Sequence, residues 1–300
     1  MPLIKPLMVF VNLIILISCA EEPPAPPSKV NILHVSDVAW EPLNPARGDQ
    51  SPQAATLWGD RKGGMPATRP AGEDCPICES GQQEGPVPTG FLARFADGFS
   101  SPPHIHNVTY RAVVISGLIH NDDPAAEEQW LPPGSFWTQP KGDVHITAAQ
   151  GEDVMALVEI DQGPYLVMPP KEAFETEEQA MKINAADLEW LDLPGMQPIP
   201  GGPKVAYLWG EPADGRPSGN FLKLPHGFEG EIHSAGSAFH AVVIQGQPVY
   251  IGGSDQVLDP GSVFSSAGNI IHPVHSDPVT DTILYIRTDA RYSLVVRYIR

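Results

Sequence analysis

Three histidines in the first half of the chain have the residue type and spacing of a metal site. His104 and His106 are separated by one residue, and His145 follows in a distant segment. Side chains alternate between the two faces of a β-strand, so His104 and His106 would point to the same side. Neutral imidazole is a common metal ligand, and three protein ligands leave a metal with open positions. The spacing therefore predicts a metal centre inside a β-structure, with these three histidines as ligands.

Glycines and prolines frame the histidines in two motifs. The first contains Gly98, His104, His106 and Gly117, and the second contains Gly134, Pro140, Gly142 and His145. The pattern resembles the cupin superfamily, whose motifs run G-x5-H-x-H-x3-E-x6-G and G-x5-P-x-G-x2-H-x3-N. Here Tyr110 stands at the usual glutamate position and Ala149 at the final asparagine. The resemblance implies a three-histidine site without the carboxylate ligand, and it makes Tyr110 a candidate catalytic group beside the open metal positions.

The two halves of the chain repeat one another. Thr56-Leu-Trp-Gly-Asp60 matches Tyr207-Leu-Trp-Gly-Glu211, and Ala112-Val-Val-Ile-Ser-Gly117 matches Ala241-Val-Val-Ile-Gln-Gly246. Short segments rich in β-branched and aromatic residues alternate with Gly and Pro turns, which is typical of strands. We therefore predict an all-β fold of two tandem cupin barrels (double-stranded β-helix, or jelly-roll, barrels). The repeat with its Trp-containing leader segments resembles the ChrR-like cupins, a largely uncharacterised bacterial family.

The predicted organisation has five parts. They are a lipoprotein signal peptide with its cysteine (1–19), a tether (20–30), cupin domain 1 (31–169), a linker (170–184) and cupin domain 2 (185–300). The offset between matching segments falls from 151 to 129 residues, so the first domain carries a 22-residue insertion within 61–89. Loops of this length are usually functional or disordered. The Glu-rich segment Pro170–Asn184 is predicted to be helical.

The second repeat has lost part of the metal motif. Matching the halves by their histidines places His233 at the position of His104 and His272 at that of His145, while Ala235 replaces His106. Glu231, His233 and His272 would form a second site of two histidines and one carboxylate, which suits iron. The alternative is a barrel that has lost its metal and serves packing or homodimer formation.

The N-terminus has the pattern of an export signal. Lys5 precedes an apolar run from Leu7 to Ile17, which is shorter than a typical transmembrane helix. The run ends in Leu-Ile-Ser-Cys19, which resembles a bacterial lipobox. We expect a periplasm-facing lipoprotein of the cell envelope that contacts the membrane only through lipid on Cys19, the alternatives being an ordinary signal peptide or an uncleaved anchor.

Two further cysteines, Cys75 and Cys78, lie in the insertion. In an oxidising compartment they would form a disulfide or, as a less favoured alternative, a redox pair.

The charge balance restricts the partners. Lys plus Arg number 18 and Asp plus Glu number 36, giving a net charge of -18. Such a surface repels nucleic acid and anionic membranes, so we expect neither as a direct partner. A small-molecule ligand is expected instead.

The expected cofactor is one divalent transition metal, with iron, zinc, manganese, copper and nickel all compatible with imidazole ligands. The predicted function is a metal-dependent, dioxygenase-like enzyme that acts on a small organic molecule. Hydrolysis or isomerisation suits the same ligands. The alternative is a non-catalytic zinc-binding module for ligand binding or sensing, as in the cupin part of the ChrR regulator.

Overall fold

A computed structural model describes residues 30–63 and 87–299 of the chain. Within these ranges the helical elements are short 3-10 turns at Val35–Asp37, Pro45–Gln50, Pro170–Glu172 and Ala185–Asp187. No helix in the described ranges is long and apolar enough to cross a membrane. The remaining regular structure is β-sheet.

The first repeat and the segment after it contribute ten strands. They are β1 (Asn31–Leu33), β2 (Glu41–Pro42), β3 (Gln53–Trp58), β4 (Thr89–Phe95), β5 (Ile105–His106), β6 (Tyr110–Asp122), β7 (Phe136–Gln139), β8 (Ile146–Ile160), β9 (Val167–Met168) and β10 (Met181–Ile183). Seven of them form one sheet in the order β10-β7-β6-β8-β4-β3-β2, and β5 pairs separately with β9. The long strands β6 and β8 pair along most of their length, from Tyr110 opposite Ile160 to Asp122 opposite Ile146.

The second repeat contributes eleven strands. They are β11 (Leu191–Asp192), β12 (Lys204–Trp209), β13 (Ser218–Leu224), β14 (Phe228–Ser234), β15 (Phe239–Gln245), β16 (Val249–Tyr250), β17 (Gln256–Val257), β18 (Val263–Ser266), β19 (Ile270–His275), β20 (Thr282–Thr288) and β21 (Ser293–Ile299). Six of them, together with β1, form a seven-stranded sheet, β1-β18-β15-β20-β13-β12-β11, and the other five form a second sheet, β17-β16-β19-β14-β21. The predicted all-β double-barrel architecture is confirmed.

Alternation of side chains explains why these segments form strands. In β14, residues Phe228–Ser234 alternate strictly between buried and half-buried positions. That two-residue period is expected of a strand with one face on the core. In the middle of β15, Ala241–Ile244 is buried on both faces, because this strand lies inside the molecule between the two repeats.

The leader strands are exchanged between the repeats. Residues 31–33 pair with β18 of the second barrel, with Leu33 opposite Val263. Residues 181–183 pair with β7 of the first barrel, with Ile183 opposite Phe136. Each barrel therefore receives an edge strand from the segment that precedes the other repeat.

The predicted helix over Pro170–Asn184 is wrong. The segment begins with the single 3-10 turn Pro170–Glu172 and ends in the strand Met181–Ile183. The physical reason is tertiary, since the backbone of Met181–Ile183 completes the hydrogen bonds of a sheet edge, and edge pairing overrides a weak helical pattern.

One hydrophobic cluster joins the two barrels. It contains Leu92, Val113 and Leu157 from the first repeat and Phe221 and Tyr285 from the second, all at most 1% exposed. Burial of large side chains at this density is the main stabilising contribution to such an interface. The barrels therefore pack as one body around a shared core.

Candidate metal centre

The three predicted histidines lie together inside the first barrel. His104 and His145 face each other across a β-bridge, in which each backbone N–H donates to the other's carbonyl oxygen at 3.0 Å. His106 lies on β5, and its ring centroid is 4.9 Å from that of His104 and 5.1 Å from that of His145. One ring nitrogen of each of the three lies within 4.8 Å of the others, and all three side chains are buried.

Hydrogen bonds at Nδ1 prepare each ring for a metal. Nδ1 of His104 lies 3.0 Å from the carbonyl oxygen of Pro102, that of His106 2.9 Å from Leu166, and that of His145 3.0 Å from Asp143. A carbonyl only accepts, so each Nδ1 carries the proton and donates it. The lone pair is then left on Nε2, which is the arrangement that outer-shell carbonyls impose on metal-binding histidines.

A buried nitrogen without a hydrogen-bond partner indicates that the triad fits a metal ion. Nε2 of His145 is buried and has no hydrogen-bond partner among the described residues. Leaving a buried polar atom unpaired costs about 1–3 kcal/mol. A cation bound at the triad would satisfy this lone pair.

The three imidazoles are held in their neutral form. Burial lowers the pKa of His145 to about 3, with the nearby His104 adding a smaller effect in the same direction. Burial is also the first cause that lowers the pKa of His104 and, more strongly, that of His106. Neutral imidazole is the form that binds metal.

A cavity of about 110 Å³ is lined by two residues of the triad, His104 and His106. Its walls are mainly aromatic and aliphatic, and they include Phe91, Phe95, Phe99, Trp137 and Val158. Among the described residues, the lining contains no carboxylate and one cation, Arg47, whose guanidinium lies 5.4 Å from the centroid of Phe99. Arg47 forms no ion pair with any carboxylate in the described ranges. The described lining residues therefore carry a net positive charge, although the chain as a whole is strongly acidic.

Tyr110 belongs to a buried polar network beside the triad. Its hydroxyl donates to Oδ1 of Asn121 at 2.9 Å, and Thr147 donates to the same oxygen at 2.8 Å. Asn121 in turn donates to Oε1 of Gln139 at 2.9 Å. Tyr110 lines the cavity, and its ring centroid is 5.3 Å from that of His106. Its catalytic role stays a prediction, since its hydroxyl is donated to an amide oxygen.

Tyr165 approaches the triad more closely, and sequence reasoning missed its role. Its hydroxyl oxygen is 3.1 Å from Nε2 of His106, and the two rings stack with centroids 4.3 Å apart. Burial raises the pKa of the Tyr165 phenol well above its ordinary value. The one signal in the sequence was the similarity between the segments that begin at Tyr165 and Tyr292.

The possible second metal site at Glu231, His233 and His272 is not assembled, which corrects that interpretation. His272 lies opposite Ile232 in the β14–β19 ladder, and both are buried. Glu231 and His233 flank Ile232 on the strand, so their side chains project to the other face of the sheet. There, Nε2 of His233 lies 3.0 Å from a carboxylate oxygen of Glu231, and Arg297 forms an ion pair with the same carboxylate. The match of the two repeats by their histidines was shifted by one residue. His272 faces Ile232 in the same way that His145 faces His104, so Ile232 is the counterpart of His104.

Other side chains occupy the interior of the second barrel. Tyr250 hydrogen-bonds Nδ1 of His272 at 3.1 Å, and Ser266 hydrogen-bonds its Nε2 at 3.0 Å. The ring of Phe239 stacks on His272 with centroids 5.0 Å apart. Both nitrogens of this histidine are thus satisfied, whereas Nε2 of His145 has no hydrogen-bond partner among the described residues.

The remaining site residues lie outside the described ranges. Cys19, Cys75 and Cys78 belong to residues 1–29 and 64–86, as do the signal peptide and most of the insertion. Their lipidation and disulfide pairing stay predictions.

The chain belongs to the DUF4437 family, a domain of unknown function, whose model matches residues 31–69 and 80–295. No curated protein matches the sequence significantly.

Solved structures share the fold at low sequence identity. A candidate dioxygenase from Nostoc punctiforme PCC 73102 superposes with a TM-score of 0.61 at 12% identity, covering 91% of this chain and 88% of its own. Vicilin from the hazelnut Corylus avellana gives 0.52 at 10% identity, covering 88% and 87%. The oxalate decarboxylase of Lactobacillus farciminis gives 0.50 at 11% identity, covering 89% and 88%. The likeness establishes a cupin-type bicupin fold.

Proposed function

We propose that this member of the DUF4437 family is a metal-dependent, dioxygenase-like enzyme that acts on a small organic molecule. The observation that carries the proposal is the convergence of three buried, neutral histidines, two of which, His104 and His106, line an apolar cavity. A divalent metal held by three neutral imidazoles keeps its full positive charge and open positions, and it supplies Lewis-acid or oxygen-activating chemistry. Iron, zinc, manganese, copper and nickel all suit three imidazole ligands.

The protein side chains hold the ligands and restrict water. Carbonyls of Pro102, Asp143 and Leu166 fix the orientation of each imidazole. The aromatic walls exclude bulk solvent, which strengthens every electrostatic interaction inside the cavity. Tyr110 is held at the wall by Asn121, in a position to contact a bound molecule.

The lining indicates the class of substrate. Its aromatic side chains favour a flat, largely apolar body, and Arg47 favours a carboxylate or other anionic oxygen on that body. Because no carboxylate from the described part of the chain lines the cavity to compete, the guanidinium would pair with the substrate while a second oxygen of the substrate faces the histidines. We therefore propose small aromatic or enolisable carboxylic acids as substrates.

A non-catalytic zinc-binding module for sensing, similar to the ChrR cupin, is the second candidate. The observation that favours it is the depth of the site, since the three histidines are at most 8% exposed and Tyr165 lies against His106. A closed site suits binding better than turnover.

Oxygen uptake separates the two candidates. The chain would be loaded with Fe²⁺ and mixed with carboxylated catechols and diketones, with His106→Ala as the matched variant. Substrate-dependent oxygen consumption by the wild type, lost in the variant, would support the enzyme. Tight zinc binding with no turnover by protein loaded with iron, manganese, copper or nickel would favour the sensing module.

We also propose that the chain is a periplasm-facing lipoprotein anchored through Cys19. The lipobox-like Leu-Ile-Ser-Cys19 after an apolar run supports this location. Expression in a bacterium should place the wild type in the membrane fraction with an acylated N-terminal peptide, whereas Cys19→Ser should lack the acyl group. An unmodified, full-length N-terminus in the wild type would contradict the proposal.

A further inference from the structure

We infer that Tyr165 provides a fourth protein donor to the metal at His104, His106 and His145. The inference rests on the proposed metal site and adds a ligand that the histidine motifs do not contain. In the cupin-like pattern the carboxylate position is occupied by Tyr110, whose hydroxyl is donated to Asn121. The missing oxygen donor would come instead from a tyrosine on a different segment.

The hydrogen-bond distance between Tyr165 and His106 also lies in the range expected for two ligands on one metal. Metal–nitrogen and metal–oxygen bonds of about 2.1 Å, at angles between octahedral and tetrahedral, place two donors about 3.0–3.4 Å apart. The hydroxyl oxygen of Tyr165 lies 3.1 Å from Nε2 of His106, the atom whose lone pair is available. A cation bound to that nitrogen would have the phenol oxygen within bonding reach.

Backbone hydrogen bonds hold the two residues at this separation. The β5–β9 ladder sets His106 opposite Val167. The side chain of Asn107 accepts from the backbone N–H of Leu166 at 2.8 Å and donates to the carbonyl of Pro164 at 2.9 Å. These hydrogen bonds hold the segment that carries Tyr165 against the strand that carries His106. They therefore restrict displacement of the phenol when a metal binds.

The start of the insertion supports Tyr165 from the other side. The backbone N–H of Tyr165 donates to the carbonyl of Arg61 at 2.9 Å. Gly63 has a φ of +49°, and a Cβ there would lie 2.4 Å from the backbone nitrogen of Pro164. Only glycine permits this close approach. The first residues after β3 therefore position the tyrosine, which gives part of the insertion a function at the metal centre.

The duplication provides an internal comparison. Tyr292 is the counterpart of Tyr165 in the second repeat, and its hydroxyl donates to Oδ1 of Asn220 at 2.7 Å. The position equivalent to Asn220 in the first repeat is Phe91, since each lies at the same register in the central sheet. Phe91 offers no acceptor, and the hydroxyl of Tyr165 has His106 as its hydrogen-bond partner in the described ranges. The tyrosine faces a histidine nitrogen only in the barrel that contains the triad.

Coordination would use the phenolate form. A metal cation stabilises the deprotonated form of a ligand, so binding releases the Tyr165 proton to solvent and breaks its hydrogen bond to Nε2 of His106. The bound phenolate reduces the net charge of the centre by one relative to three histidines alone. The phenolate would therefore supply the negative charge that the missing carboxylate ligand supplies in the cupin-like motif.

Cu²⁺ is the probe for this inference, because it binds imidazole sites tightly and a phenolate bound to it gives a visible charge-transfer band. The full chain is loaded with Cu²⁺, the metal is counted, and the absorption and resonance Raman spectra are recorded. The variants are Tyr165→Phe and, as the matched control, Tyr110→Phe, which also removes a buried hydroxyl beside His106. We expect about one copper per chain in all three, with the band and the phenolate ring vibrations lost only in Tyr165→Phe.

The outcomes separate this inference from the proposed function. Copper bound by the wild type without phenolate vibrations, or a band that survives in Tyr165→Phe, would overturn the role of Tyr165 and leave the three-histidine site standing. A wild type that binds no copper would overturn both. If Tyr165→Phe fails to fold, the wild-type Raman spectrum decides alone, and Gly63→Ala, which disturbs the segment at Pro164, should weaken the band.

Discussion

Glu159 of the first barrel and Arg287 of the second form a buried ion pair at the centre of the molecule. Nε of Arg287 donates to Oε1 of Glu159 at 2.8 Å, and the two side chains are 1% and 4% exposed. The residues occupy equivalent positions in the repeats, because Glu159 lies opposite Gly90 and Arg287 lies opposite Gly219 in matching ladders. The duplicated strands thus carry opposite charges at the point where they meet.

Aromatic contacts follow the same pseudo-symmetry. Arg111 lies over the ring of Trp209 at 4.0 Å, and His240, its counterpart in the second repeat, stacks on Trp58 at 4.3 Å. The hydroxyl of Tyr285 adds a hydrogen bond to Glu159 at 2.8 Å. We conclude that the two barrels are held together by reciprocal contacts from equivalent positions.

We predict that Glu159→Ala destabilises the protein by about 3 kcal/mol, because it leaves the buried Arg287 without its carboxylate partner. The free energy of unfolding would be measured by denaturant titration. Asp192→Asn, which breaks the more exposed pair with Lys204, is the matched control and should cost under about 1 kcal/mol. Equal effects of the two substitutions would contradict the account of the interface.

We predict that acid weakens the protein in part through His240, in addition to the other buried histidines. Burial lowers the pKa of His240 to about 3, with Arg287 adding a smaller effect in the same direction. The unfolded chain therefore binds a proton below about pH 6.5 that the folded chain does not, and stability present above that pH is lost as the pH falls towards 3. At pH 4 the loss amounts to about 3 kcal/mol.

The measurement is the melting temperature between pH 7 and pH 4 for wild type and His240→Phe, which keeps an aromatic ring against Trp58. The variant should show a flatter decline with falling pH. His226→Gln changes an exposed histidine and should follow the wild type. A His240→Phe profile parallel to the wild type would show that another group controls the acid response.

We predict that Arg47 selects anionic molecules. Arg47→Met keeps the length of the side chain and removes the charge at the cavity, so the affinity for a carboxylated aromatic compound should fall by about tenfold or more, in line with the loss of a charge-assisted hydrogen bond. The affinity for the matching uncharged amide should change little. Binding would be measured by calorimetry on the metal-loaded chain, with Arg94→Met, which removes a cation stacked on Trp40, as the control. Equal losses for acid and amide would assign Arg47 a packing role.

The sequence was most informative where spacing maps directly onto geometry. His104, His106 and His145 converge as predicted, since alternation on one strand and a facing strand suffice to bring them together. The place of Tyr165 could not be read in the same way, because its contact with His106 spans 59 residues and depends on loop backbone bonds. The second site failed for a similar reason, since a one-residue shift in register reverses which side chains face the barrel.

The exchange of leader strands between the barrels could not be predicted from the sequence. Asn31–Leu33 and Met181–Ile183 are too short to carry a clear two-residue period. Their pairing with the opposite barrel depends on the packing of the repeats, which no local pattern encodes.

We propose that, within the described residues, the first barrel and not the second holds a metal, through its three histidines. The most direct test is the metal content of the purified chain after loading and dialysis, compared with His145→Ala and with His272→Ala, the equivalent buried histidine of the second barrel. We predict about one metal per chain in the wild type and in His272→Ala, and none in His145→Ala. Stoichiometric metal that persists in His145→Ala, or that disappears in a folded His272→Ala, would contradict the claim.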